Sequence, residues 1–176
     1  MFFETYEWKY WWLREWKCCG HKWEILLSNK FPERETFKPV CPRCKMKIMN
    51  IGIVGSRSRN APQDKKQLEN VLIDLIDKAK KKNVQLHLVS GGCRKGADKF
   101  AEELAKEYEL GITIHYPELD RGTFDTIPKW EYARACYNRN TLIARDSDML
   151  IAVWDKVSGG TVDTIKKMKD KPVVIL

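Results

Sequence analysis

No stretch of this sequence approaches the ~20 consecutive apolar residues that a membrane-spanning helix needs. Residues Met1 to Trp23 carry too many charges for a secretory signal. The chain is therefore expected to be cytoplasmic, with no membrane partner. Internal repeats and low-complexity tracts are absent, which excludes a repeat array. No Gly/Ser-rich linker interrupts the chain, so any join between units must be short and stiff. Histidine is scarce, with three residues in all, and none is placed to act as a base for Cys93. What remains is a soluble-type composition, 43% hydrophobic and 32% charged over 176 residues. That is enough for one ordinary domain with a core plus a small appendage. A net charge of +8 favours anionic partners, although Lys78, Lys80, Lys81 and Lys82 read as a solvated helix face.

Two segments differ in texture. Residues 1–48 hold five of the seven tryptophans and show strand-like alternation around Tyr6, Trp8 and Tyr10. Residues 49–176 alternate short apolar runs with helical periods. Strands are expected at Ile51–Val54, Leu86–Val89, Ile112–Tyr116, Met149–Val153 and Val173–Leu176. Leu68, Val71, Leu72, Leu75, Ile76 and Ala79 share one face of a first helix. Ala97, Ala101, Leu104, Ala105 and Tyr108 mark a second, Trp130–Arg145 a third and Gly160–Lys169 a fourth. Nearly all-apolar strands alternating with helices predict an α/β fold: a doubly wound, Rossmann-like parallel sheet of about five strands.

Strands of a parallel sheet point one way, so the turns at their carboxyl ends share one rim. Three of these turns bear glycine: Gly55-Ser56-Arg57, the run Ser90 to Asp98, and Ser158 to Thr161. Helices open just after the last two, so free N–H groups and positive dipole ends face the rim. Arg57 and Arg139 offer bidentate contacts to phosphate or carboxylate. With the first strand beside the fourth, a crevice for a phosphate-bearing ligand is expected between GSRSR and VSGGT.

GSR, GGCRKGAD, RN and SGGT, in that order, resemble the SLOG superfamily, its YspA/YpsA-related branch above all, alongside the DprA and LOG proteins. The resemblance spans Asn50 to Leu176. It implies a nucleotide or nucleotide-derived ligand, held by a sensor or sequestering protein that is often dimeric; a homo-oligomer is therefore expected. It carries Gly55, Ser56 and Arg57 to the ligand site and Gly91, Gly92, Gly96 and Asp98 to its second wall. Arg139 and Asn140 follow from the third helix, and Ser158, Gly159, Gly160 and Thr161 form the phosphate loop. LOG enzymes, which split nucleoside monophosphates, carry PGGxGTxxE in this loop. Aligning their threonine with Thr161 puts their catalytic glutamate at Thr164, which is no carboxylate. Asp163 is one residue away, a turn of about 100° around a helix. The expectation is binding without efficient hydrolysis and no catalytic residue. The alternatives are a LOG-like phosphoribohydrolase or other nucleotide-processing enzyme, and a DprA-like nucleic-acid-binding protein.

Cysteine is grouped. Cys41-Pro-Arg-Cys44 has zinc-knuckle spacing, and Cys18 with His21 repeats it, giving four ligands for one structural zinc ion. The segment also resembles zinc ribbons reading CxxCGHxW, in which Cys19 is the second ligand, so Cys18 with Cys19 stands as an alternative pair. A zinc-ribbon-like module over residues 1–48 is therefore expected. Its basic residues and tryptophans suit nucleic acid, or the aromatics serve only its folding. Cys93 and Cys136 are expected to be packing residues, and His87 and His115 core or strand-end residues.

Overall fold

The computed structural model describes residues 44–119 and 126–176 in full, and the backbone alone of 11–18 and 21–28. Strands β1 (Trp11–Cys18) and β2 (His21–Ser28) pair as an antiparallel hairpin with Cys18 opposite His21. The expected ligands Cys19 and Cys41 lie outside the described residues, as do the side chains of Cys18 and His21. The alternation at Tyr6 to Tyr10 lies outside them too. Cys44 is half-buried, just ahead of the third strand.

From there the chain alternates. β3 (Lys47–Gly55) is followed by α1 (Pro62–Lys81), β4 (Val84–Ser90), α2 (Ala97–Glu107) and β5 (Gly111–Ile114). Then come α3 (Lys129–Asp146), β6 (Met149–Val153), α4 (Gly159–Lys167) and β7 (Val173–Ile175). The five strands are parallel in the order β5-β4-β3-β6-β7. The first strand of the sheet thus lies beside the fourth, and the fold is Rossmann-like α/β. β3 starts at Lys47, so it reaches across the boundary expected between residues 48 and 49.

Alternation along each strand supplies both layers. Ile51, Ile53, Leu88, Ile151 and Val153 face α1 and α2, where Leu68, Leu72, Phe100 and Leu104 close the core. Val54, Val89, Leu150 and Ala152 face the other way, onto Ile143, Ala144 and Met168. Each such buried aliphatic side chain contributes roughly 1.5–3 kcal/mol, so the sheet cannot slip by one residue without reversing both faces. His87 and His115 are both buried, His87 Nε2 lying 2.8 Å from Thr113 Oγ1 and His115 Nε2 3.0 Å from Asp146 Oδ2. Lys78, Lys80, Lys81 and Lys82 are exposed.

α1 begins earlier than its apolar period suggests, because its first turn is polar. Pro62 opens it, and Asp64 turns back to accept from the N–H of Ala61 at 3.0 Å. Asp64 also holds Arg59 at 2.6 Å, while Arg59 Nη1 donates to the main-chain oxygens of Trp154 and Leu176. Arg59 therefore ties the first turn of the sheet to the residues that follow β6 and β7. Among the described residues no helix is long and apolar enough to cross a membrane.

Candidate functional site

The strand order reverses between β3 and β6, where Gly55 pairs with Val153. A cleft of about 360 Å³ opens there, roofed by α3 and by the start of α4. Gly55, Arg57, Asp98 and Arg139 line it, with Asn140, Ser158, Gly160 and Thr161 on the α4 side. Ser56, Gly91, Gly92, Gly96 and Gly159, also expected at the ligand site, are not among the lining residues. Ser56 is buried behind the wall, its N–H donating to Val153 O at 2.9 Å and its Oγ accepting from Asp155 N at 3.1 Å. Gly91 leaves room for the Arg139 guanidinium, and Gly92, at φ +66°, lies under the Tyr116 ring. Gly159 sits near the Tyr137 hydroxyl. The glycines of the second turn therefore serve close packing of the protein on itself.

The three helix starts are not equivalent. α1 is closed by its own Asp64. At α2, buried Asp98 accepts from Cys93 N at 3.1 Å and pairs with Arg139 Nη1 at 3.5 Å. Burial pushes the Asp98 carboxyl up, against the pull of Arg139 and of the Cys93 and Gly91 N–H groups. That helix start is already occupied by a carboxyl group of the chain itself. At α4, as at α2, the N-cap residue makes no side-chain capping hydrogen bond, and the Ser158 N–H donates to Asp155 just ahead of the helix. The N–H groups of its first turn have no helical acceptor, and the space beside Gly160 is open. The N-terminus of a helix carries a positive dipole end with free N–H donors, the kind of feature that suits an anion.

Its loop is built in advance. Asp155 Oδ1 accepts from Val157 N at 2.9 Å and Ser158 N at 2.8 Å, and Oδ2 accepts from Ser58 Oγ at 2.6 Å. These donors hold its carboxyl well below the usual carboxylate range. Asn140 Nδ2 donates to Gly160 O and to Asp163 Oδ2, both at 3.1 Å, docking α4 onto α3. Asp163 is also paired with Lys167 at 2.8 Å. Thr164 is buried against the cleft, its hydroxyl donating to Gly160 O at 3.2 Å.

Arg57 stands exposed on the rim opposite α4. Burial disfavours its charge, but the adjacent Cys93 sulfur, with Tyr132 and Cys136, outweighs that and holds the guanidinium above its ordinary value. Arg139 is less available than the sequence suggests, being committed to Gly91 O and Asp98. Two cysteines expected only to pack, Cys93 and Cys136, are half-buried and line the cleft. Tyr132 and Tyr137 line it too and were missed. The period of α3 could have found Tyr132, since Tyr132, Cys136 and Asn140 recur at four-residue intervals on one flank.

A β5-β4-β3-β6-β7 parallel sheet with a cleft at its switch point defines a Rossmann-like α/β domain. No family model matches the chain, and no curated protein does. Among solved structures, the fold is similar to DNA processing protein A from Helicobacter pylori, whose structure is described in terms of a single-stranded DNA binding mode. Identity is 20% and the TM-score 0.50, with 72% of this chain and 64% of that one covered. The chain therefore spans less than two thirds of that protein's chain, and the likeness is one of fold.

Proposed function

We propose that this protein binds single-stranded nucleic acid, receiving one backbone phosphate between Arg57 and the start of α4. The observation that carries the reading is that the first turn of α4 and an exposed arginine, Arg57, line the same cleft. Exposed rings flank it: Tyr137 at the cleft, Tyr116 and Trp130 beyond, with the Arg134 guanidinium 5.5 Å from the Trp130 ring centre. Bases stack on such rings with little regard to sequence, and the net charge of +8 suits a polyanion. The fold is one that DNA processing protein A also has. A free nucleotide or nucleotide-derived ligand is the second reading, favoured by the concavity of the cleft. Fluorescence anisotropy separates them. A single strand should bind more tightly as it lengthens and lose affinity steeply with added salt. Length-independent binding, equalled by a mononucleotide, would overturn the first reading in favour of the second.

Binding without N-glycosidic cleavage is part of the proposal. Asp98 is engaged by Arg139, Asp155 by its own loop, and Asp163 by Asn140 and Lys167. Thr164 has no proton-transfer carboxylate to offer. Release of free base from nucleoside monophosphates would sink this part. A structural zinc held by Cys41 and Cys44, with two of Cys18, Cys19 and His21, completes the reading. The backbone register, which sets Cys18 opposite His21, supports that pair. Cys41→Ser should lower the zinc content of the purified protein, and an undiminished content would end the idea.

A further inference from the structure

α3 has a second flank. Beyond it lies another cleft, of about 230 Å³, lined by Tyr116, Glu131, Arg134, Asn138, Arg139 and Leu142 among others. Arg139 lines both clefts, and Tyr116 covers Gly92 in the turn behind the first. The two spaces thus flank one helix and share the Arg139 side chain.

The side chains of this second cleft are not those of a phosphate site. Tyr116 and Leu142 offer a flat or apolar surface. Glu131 and Glu118 offer only acceptors, Arg134 and Arg139 only donors, and Asn138 both, Glu131 being the carboxylate on α3 beside Arg134 and Asn138. Guanine alone among the four DNA bases has two adjacent donors, N1–H and N2–H, on its pairing edge, beside the acceptor O6. A carboxylate can accept both donors at once, leaving O6 and N7 for an amide or guanidinium. On the pairing edges of adenine and cytosine the carboxylate would meet a ring nitrogen lone pair beside the amine. On that of thymine it would find one N–H between two carbonyls.

We propose that the second cleft is a guanine-selective base pocket, with Glu131 reading N1–H and N2–H. The inference rests on the single-strand reading for its biological ligand, but its chemistry can be tested separately. Spectra of the ¹⁵N-labelled intact protein should shift on titration with guanosine, which carries no phosphate, and not with adenosine, cytidine or thymidine. Oligothymidylate containing one guanine should bind about tenfold tighter than oligothymidylate alone. Glu131→Gln should abolish both the guanosine shifts and that preference while leaving oligothymidylate affinity unchanged. Binding of oligothymidylate with no response to guanosine overturns the base pocket and leaves the single-strand reading standing. Response to guanosine without binding of any oligonucleotide does the reverse. Equal responses to all four nucleosides, or a preference that survives Glu131→Gln, also overturn the pocket, and silence in both experiments overturns both proposals.

Discussion

Arg57→Ala is expected to weaken single-strand binding by about 10- to 100-fold, the worth of one charge-assisted contact to phosphate. The side chain is exposed on the rim and lies beside Cys93, Tyr132 and Cys136 rather than within the core, so the thermal transition should barely move. The salt dependence should flatten by about one phosphate contact. Arg57→Lys should recover only part of the affinity, because a point charge replaces a fork. Arg59, two residues on, is the contrasting case. Its guanidinium is spent on Asp64, Gln67 and two main-chain oxygens, so its loss should cost stability instead. Anisotropy beside thermal melting, on both variants, checks the division. Unchanged affinity in Arg57→Ala would remove the arginine from the site.

Gly96→Ala should destabilise the fold by about 3 kcal/mol or more. Gly96 has φ 71° and ψ −150°, a region that is essentially restricted to glycine. An added Cβ would lie 2.7 Å from Ser56 O, which is main chain and cannot swing aside. Its N–H also donates to Asn60 Oδ1 at 2.8 Å. The crossing of Gly96 over Ser56 joins the first and second turns, so the variant should lose ligand affinity along with stability. Denaturant unfolding measures the cost; a midpoint equal to that of the parent would show that this junction bears no strain.

The sheet was legible because its signals repeat. Ile51 and Ile53 alternate with Gly52 and Val54 to opposite layers, and Leu68 and Leu72 recur at helical spacing. Such patterns are fixed by burial alone. The site was less legible, because glycine looks the same in sequence whatever it makes room for. Gly91 accommodates Arg139 and Gly92 the Tyr116 ring, whereas the space beside Gly160 is open. Which helix start is vacant depends on carboxylates nearby in the chain, Asp64 and Asp98, whose inward turn no spacing announces. α3 hid its cleft-facing residues for a related reason. It borders a cleft on each flank, which blurs the single apolar stripe that would otherwise have oriented it.

Asp155 holds a consequence for kinetics. By clasping Val157, Ser158 and Ser58 it fixes the turn before α4, the turn to which the proposed phosphate would bind. An arriving anion has no loop to arrange, so little conformational freedom is surrendered on contact. Competing ligands should therefore arrive at similar rates and differ chiefly in how long they stay.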